Sequence, residues 1–200
     1  DPLLSRAIAL HPGLRVPCCW DGFELAVRAV LGQQISVAGA TTLARRLVET
    51  WGEQHAGEAA QIGLDRSFPS PERLRDAPLE TIGLPRTRAA TLRALSAAVV
   101  NGQLSFEAGQ RLDDFVERAV ALPGIGAWTA QYIAMRALAL PDAFPAGDLV
   151  LQQRLGPGAG VARLSERATE ARSQVWRPWR AYAVLHLWHL PAPLVQENAA

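Results

Sequence analysis

The chain has 200 residues, a formal net charge of +1 and 49% hydrophobic residues. This hydrophobic content supports a substantial core and excludes global disorder, while the near-zero charge gives no overall signal for a polyanionic partner. No apolar run approaches the roughly 18 to 20 residues of a membrane helix, and residues 1–10 lack the layout of a signal peptide. We therefore expect a cytoplasmic protein without a membrane partner.

Two residue types limit the chemistry and the cellular setting. All 20 basic residues are Arg, so no lysine amine is present to form a Schiff base with a sugar aldehyde. The adjacent Cys18 and Cys19 are the only cysteines, and their spacing suits neither a disulfide framework nor a metal cage. We expect both to be structural residues in a reducing compartment. Because the first residue is not Met, we also expect the chain to be part of a longer polypeptide.

Apolar residues recur at helical spacing along nearly the whole chain, beginning with residues 23–31 and 40–48, which predicts an all-α fold. Ser70, Pro71 and Glu72 are typical of an N-cap, a first helical residue and a first-turn acid, and residues 83–85 break the chain before Arg86. Further helices are predicted over residues 88–100, 108–121, 127–139, 148–155 and 165–190. We expect Pro178 to interrupt the last of them.

A glycine-containing turn lies between two of these helical patterns. It reads Leu122-Pro-Gly-Ile-Gly126 and is followed by Ala127-Trp-Thr-Ala130. Glycines allow a tight turn, and the first amides of the next helix can be bound by a phosphate. The pattern is typical of a helix-hairpin-helix motif, which binds the DNA backbone without recognising the base sequence. The alternative is an ordinary connection between two helices.

The helix after this turn has two apolar faces. Ala130, Ile133, Ala134, Ala137 and Leu138 form a core stripe at helical spacing. On another side lie Trp128, Tyr132 and Met135. This second face could pack against a neighbouring domain, or it could provide aromatic surface for a base flipped out of DNA.

Asp148 directly precedes another apolar helical run. An aspartate in this position is typical of an N-cap. The same carboxylate could also stabilise positive charge on a deoxyribose as its base departs and orient the attacking water. The two roles are compatible, so the residue pattern leaves both open.

Taken in order, these segments resemble the helix-hairpin-helix/Gly-Pro-Asp superfamily of DNA glycosylases. Within it, the chain is most similar to the bacterial 3-methyladenine DNA glycosylase II type. The resemblance covers almost the whole chain and is strongest over residues 11–17, 21–33, 68–71, 122–130 and 176–188 and at Asp148. The amino-terminal β domain of the longest relatives has no counterpart here, and a methyl-transfer repair module can precede the glycosylase in fused relatives.

The resemblance implies a role for individual residues. Asp148 matches the catalytic aspartate, and Trp128, Tyr132 and Trp188 match the aromatic residues that line the alkylbase pocket. The DNA backbone would be bound at Gly124, Ile125, Gly126 and Thr129, and a Na⁺ or K⁺ ion by the main-chain oxygens of Val120, Leu122 and Ile125. The wedge that enters the DNA stack is assigned to Gln33 and Gln34. Gln34 stands where similar relatives carry an apolar residue, and glutamine fills the gap left by the flipped base in some other relatives.

The resemblance also implies the type of reaction. Relatives that cut the strand have lysine at position 128, where this chain has Trp, so we expect a monofunctional enzyme that uses water. With two cysteines the chain cannot hold the four-cysteine iron–sulfur cluster of some relatives, and no cofactor is expected to be required. We expect a monomer that excises alkylated bases such as 3-methyladenine and 7-methylguanine from double-stranded DNA.

For the domains, we expect two helical subdomains with an active-site cleft between them. One spans residues 22–138 and contains the hairpin at about 113–138; the other combines residues 1–21 and 139–200. Two other functions remain open, namely a non-enzymatic helix-hairpin-helix DNA-binding module and a helical domain that binds protein. His186 and His189 are interpreted as core or surface residues, and Arg45, Arg46, Arg86 and Arg88 as exposed residues, although all four could touch phosphates.

Overall fold

The computed structural model describes residues 1–156 and 163–190. Within these ranges the regular structure is helical, apart from one isolated bridge that pairs Gln54 with Arg66. This confirms the predicted all-α class. None of the described helices is long and apolar enough to span a bilayer. The chain divides into two compact units, the central unit of residues 20–126 and the terminal unit of residues 1–19 and 127–200.

The central unit begins with two amphipathic helices and ends in the hairpin turn. Its described α-helices are α2 Gly22–Leu31, α3 Val37–Trp51, α4 Glu58–Gln61, α5 Pro71–Arg75, α6 Arg86–Val100 and α7 Leu112–Val120, with a 3₁₀ helix at Leu79–Ile82. Helix α6 packs against α2 and α5. Its Leu92 and Leu95 are fully buried, so α6 contributes to the hydrophobic core of this unit.

The start and stop signals of the central unit were predicted from residue types. Ser70 is the N-cap of α5, with Pro71 at the first helical position, although the Ser70 side chain makes no capping hydrogen bond. Gly83 has a φ of +93°, a conformation that glycine adopts without strain, and it ends the 3₁₀ helix before α6. Helix α6 starts at Arg86, two residues earlier than predicted.

The terminal unit is built from α1 Pro2–Leu10, α8 Ala127–Ala137, α9 Leu149–Arg154, α10 Glu166–Ser173 and α11 Arg180–His189, with a 3₁₀ helix at Gln174–Trp176. Helix α11 packs against α1 and α9. The predicted helix over residues 165–190 is interrupted near Pro178, as expected from the ring of proline. This interruption separates α10 from α11.

The two units divide the chain inside the hairpin, between Gly126 and Ala127. The predicted subdomains placed residues 127–138 with the preceding helices, whereas the structure groups α8 with the terminal unit. A physical reason is visible in its side chains, because Trp128 and Gln131 of α8 form hydrogen bonds to Asp148 and to the amide of Phe144. Such long-range bonds cannot be recognised from helical periodicity.

His186 of α11 is buried, with 7% of its surface exposed, and its Nδ1 has no hydrogen-bond partner among the described residues. Burial lowers the pKa of His186, and positive charge on His11 and His189 lowers it further, while a hydrogen bond with the main chain of Ala7 acts in the opposite direction. The described residues form no group of three or more side chains suited to hold a metal ion. The burial of His186 agrees with its interpretation as a core residue.

The lowered pKa of His186 predicts that stability falls as the pH falls. The unfolded chain takes up a proton near the ordinary pKa of 6.5, whereas the folded state resists it, so this contribution is complete above that pH and is lost below it. Urea unfolding at pH 7.5 and 5.5 should therefore show a smaller pH-dependent loss for His186→Gln than for the wild type. The matched variant of the exposed His55, His55→Gln, should keep the wild-type loss; equal losses in all three proteins would contradict the assignment.

Candidate active site

Asp148 is the N-cap residue of α9. Its Oδ1 accepts hydrogen bonds from the amides of Val150 and Leu151, both at 3.0 Å. The backbone of Asp148 is extended, as is typical of an N-cap, and its own amide donates to the carbonyl of Pro145 at 2.8 Å. The N-cap interpretation of the sequence is thus correct.

The same carboxylate is held by two tryptophan side chains. Nε1 of Trp128 donates to Oδ2 at 3.1 Å, and Nε1 of Trp188 donates to Oδ1 at 3.1 Å. Trp128 lies in the first turn of α8 and Trp188 near the end of α11. Three helices of the terminal unit therefore converge on one half-buried carboxylate, which is more than an N-cap requires.

The donors are distributed unequally between the two oxygens. Oδ1 accepts from two amides and one indole, whereas Oδ2 accepts from the indole of Trp128. An ionised carboxylate can accept about four hydrogen bonds in all, roughly two on each oxygen. Among the described groups, Oδ2 is therefore the oxygen with capacity for a further donor, such as a water molecule.

The loop that carries Asp148, residues 141–148, is anchored at several points. The amide of Phe144 donates to Oε1 of Gln131 at 2.9 Å, and Nε2 of Gln152 donates to the carbonyl of Ala146 at 3.3 Å. The amide of Ala181 donates to the carbonyl of Pro141 at 2.8 Å. Backbone held in this way fixes the direction of the Asp148 side chain.

A charged network holds the start of this loop. Arg180, at 3% exposure, binds Asp142 through two hydrogen bonds of 2.8 and 3.0 Å and binds Glu170 at 2.7 Å. Its guanidinium also lies 5.8 Å from the centre of the Phe144 ring, and Arg177 contacts Asp142 from the surface. Two parallel bonds between guanidinium and carboxylate fix the orientation as well as the distance. Asp142 is thus tied to the beginning of α11.

The predicted pocket aromatics lie next to the carboxylate. Trp128 and Tyr132 are stacked, with ring centres 5.2 Å apart and an angle of 8° between the planes. Arg136 continues this face of α8: its guanidinium lies 5.6 Å from the centre of the Tyr132 ring and donates to the Tyr132 hydroxyl at 3.1 Å. Met135, which the sequence grouped with this face, is fully buried in the core instead.

The hairpin turn precedes α8. Gly124 has a φ of +81°, and a β-carbon there would lie 2.0 Å from Oγ1 of Thr91, so only glycine fits. The amide of Ile125 donates to the carbonyl of Leu122 at 3.2 Å, which closes the turn. Gly124 and Gly126 are exposed, whereas the side chains of Ile125 and Thr129 are buried, at 3% and 4% exposure.

The two predicted wedge residues differ in their surroundings. Nε2 of Gln33 donates to the carbonyl of Gly124 at 3.1 Å, and the carbonyl of Gln33 accepts from Arg88. Gln34 is exposed and has a φ of +55°. Arg46 donates to the carbonyl of Ile82, so two of the four arginines considered as phosphate ligands bind main-chain oxygens.

The family resemblance grouped Asp148 with Trp128, Tyr132 and Trp188, and the structure brings these side chains together. The sequence did not predict Arg136, Gln131 or the Asp142–Arg180 pair. Arg136 could have been found from its position four residues after Tyr132 on the same helix face. The other contacts join distant parts of the chain and left no local signal.

The chain belongs to the HhH-GPD superfamily of base excision DNA repair proteins, whose family model matches residues 27–180. The family resemblance inferred from the sequence is therefore confirmed.

Individual relatives cover most of this chain. It is 42% identical to the probable bifunctional transcriptional activator/DNA repair enzyme AlkA of Mycobacterium tuberculosis, over 94% of this chain and 37% of that protein. It is 38% identical to DNA-3-methyladenine glycosylase 2 of Escherichia coli K12, over 93% of this chain and 64% of that protein. The chain thus spans less than two thirds of the length of these relatives.

A solved structure has the same fold at lower identity. Schizosaccharomyces pombe 3-methyladenine DNA glycosylase Mag1, determined in complex with abasic DNA, matches with a TM-score of 0.70 and 21% identity, over 94% of this chain and 90% of that chain.

Proposed function

We propose that this chain is a monofunctional DNA glycosylase that hydrolyses the N-glycosidic bond of alkylated bases, of the 3-methyladenine and 7-methylguanine type, in double-stranded DNA. The observation that carries the proposal is the Asp148 carboxylate, which accepts hydrogen bonds from two indoles and two amides. The similarity to DNA-3-methyladenine glycosylase 2 supports the choice of substrate. The enzyme is proposed to act as a monomer.

In the proposed reaction the bond between C1′ and the base nitrogen breaks first, and the electron pair leaves with the base. Positive charge then develops on the deoxyribose, and the fixed negative charge of Asp148 stabilises it. Water adds to C1′ and gives up a proton, for which Oδ2 of Asp148 is the acceptor with hydrogen-bonding capacity. Because the four donors hold the carboxylate in place, little reorganisation is needed during the reaction.

The substrate range follows from the aromatic groups. Alkylation makes a purine cationic, and a cation above an aromatic face gains about 0.5 to 2 kcal/mol. Trp128, Tyr132 and Trp188 are proposed to provide this surface for the flipped base. A cationic base is also a better leaving group than a normal base, so the enzyme can be selective with a tolerant pocket.

The DNA backbone is proposed to bind at Gly124, Ile125, Gly126 and Thr129 of the hairpin. The main-chain amides of the two glycines are the proposed donors in the turn, because the amide of Ile125 already donates to the carbonyl of Leu122. The buried side chains of Ile125 and Thr129 agree with contacts made by backbone rather than by side chains. A Na⁺ or K⁺ ion is proposed at the carbonyls of Val120, Leu122 and Ile125. These oxygens fit the cation chemically, since the carbonyl of Leu122 accepts one hydrogen bond and has a second lone pair. The positive charge of the ion would attract a phosphate of the DNA backbone.

The proposal is tested by incubating the protein with methylated duplex DNA and measuring both free bases and strand breaks. We expect release of free 3-methyladenine and 7-methylguanine and an intact strand at the resulting abasic site, because the chain has no lysine. Salt-sensitive DNA binding without release of any base would instead identify a non-enzymatic DNA-binding module. No salt-sensitive DNA binding would favour a protein-binding domain.

A further inference from the structure

Gln33 connects three elements of the central unit. It lies in the loop between α2 and α3, and its side chain donates to the carbonyl of Gly124 in the hairpin turn at 3.1 Å. Its own carbonyl accepts a hydrogen bond from the guanidinium of Arg88 on α6. The two partners are 91 and 55 residues away along the chain, so Gln33 makes tertiary contacts with both its main chain and its side chain.

Helix α6 supports both sides of this junction. Arg88 holds the carbonyl of Gln33, and Thr91, one turn further along, packs against the Cα of Gly124. Thr91 is 5% exposed and its hydroxyl donates to the carbonyl of Thr87, which fixes its rotamer. The loop and the hairpin turn are therefore both positioned by the first turns of one helix, and the Gln33 side chain bridges them directly.

The backbone of Gln34, the residue after Gln33, has an unfavourable conformation that this junction holds in place. Its φ of +55° is in the left-handed region, where a residue other than glycine is strained by about 1 to 2 kcal/mol. Such a conformation persists only where its surroundings impose it. Gln33, held at both ends, provides that constraint, and the neighbouring Gln34 side chain is exposed at the tip of the loop.

We propose that Gln33 is a positioning residue that couples the loop to the hairpin, and that Gln34 alone enters the gap in the DNA stack. Gln33 holds the carbonyl of Gly124, and with it the turn that leads to the amide of Gly126, in the orientation in which the hairpin binds phosphate. Because the main chain of Gln33 is held by Arg88, the same residue fixes the position of Gln34 relative to the hairpin turn. This inference rests on the proposed function, and it replaces the expectation that both glutamines form the wedge.

The test compares Gln33→Met with Gln34→Met, two identical substitutions at neighbouring positions. Methionine has about the same length as glutamine but has no N–H donor. Affinity for a duplex with a tetrahydrofuran abasic site is measured by fluorescence anisotropy between 50 and 200 mM salt, and 2-aminopurine next to this site reports local unstacking. Thermal unfolding is recorded for each protein to detect a loss of stability. Such a loss by itself would leave the slope of log K against log salt unchanged, because that slope depends on the number of phosphate contacts.

For Gln33→Met we expect weaker binding, by about fivefold for one lost hydrogen bond, and a slope of log K against log salt that is smaller by about 0.9, the value of one phosphate contact. For Gln34→Met we expect an unchanged slope and a retained 2-aminopurine signal, because methionine can fill the gap as an apolar wedge residue does. Gln34→Ala, which is too short to fill the gap, should keep the slope and reduce the signal. Gln33→Asn, whose amide is too short to reach Gly124, should reproduce Gln33→Met and serves as the second variant if the methionine variant does not fold.

Wild-type affinity and slope in both Gln33 variants, or the same behaviour at positions 33 and 34, would overturn the coupling while leaving the proposed function intact. An absence of salt-dependent DNA binding in the wild type would overturn both.

Discussion

Replacing Asp148 with Asn should lower the rate of alkylbase release by at least about a hundredfold, the effect of removing one preorganised electrostatic group from a catalytic site. Asparagine is as good an N-cap as aspartate, so Oδ1 of the new residue can still accept from the amides of Val150 and Leu151. The fold should therefore be retained, while the negative charge and the oxygen that accepts from the indole of Trp128 are lost. The measurement is the single-turnover release of 3-methyladenine from methylated DNA, with thermal unfolding as a check.

The chain offers a matched control at Asp21. This residue is the N-cap of α2 and accepts a hydrogen bond from the amide of Glu24 at 2.8 Å. Asp21→Asn makes the same chemical change at a position where capping is the only role that we assign. We expect near wild-type activity for Asp21→Asn; equal rates in the two variants would show that Asp148 is merely a cap.

Replacing Arg180 with Met should lower the free energy of unfolding by about 3 kcal/mol, because it leaves the carboxylate of Asp142 without its main partner in a largely buried position. Arg180 is 3% exposed and the Asp142 side chain 18% exposed. Arg177 still contacts Asp142 from the surface, which keeps the expected cost at the lower end for a broken buried ion pair. Urea unfolding at neutral pH measures the loss.

The control is Arg45→Met. Arg45 pairs with Glu49 at 3.1 Å, but the two side chains are 66% and 53% exposed. An exposed pair at this helical spacing contributes only about 0.3 to 0.5 kcal/mol. A loss of less than about 1 kcal/mol for Arg180→Met, a value common for any point substitution, would mean that the network does not anchor the loop of residues 141–148.

The sequence predicted those features whose physical cause is local. Helical periodicity, the N-cap positions of Ser70 and Asp148 and the glycine turn each depend on residues within a few positions of one another, and each is present in the structure. Even the interruption near Pro178 follows from the missing amide of one residue.

The remaining features depend on contacts between distant residues. The hydrogen bond from Trp188 to Asp148 spans 40 residues, the bidentate pair of Arg180 and Asp142 spans 38, and the bond from Gln33 to Gly124 spans 91. Nothing in the spacing of these residue types indicates that they meet. The family pattern assigned Gln33 to the wedge, but it contains no information about the contact between this side chain and Gly124.

The central claim is that the Asp148 carboxylate lies beside the deoxyribose when DNA is bound. Dissociation constants for two abasic-site analogues test it directly: a pyrrolidine, which is cationic, and a tetrahydrofuran, which is neutral. A carboxylate within a few ångströms of the ring should make the wild type prefer the cationic analogue by at least about tenfold, or about 1.4 kcal/mol, and Asp148→Asn should abolish this preference. Equal affinities in the wild type, or a preference that survives the substitution, would contradict the account.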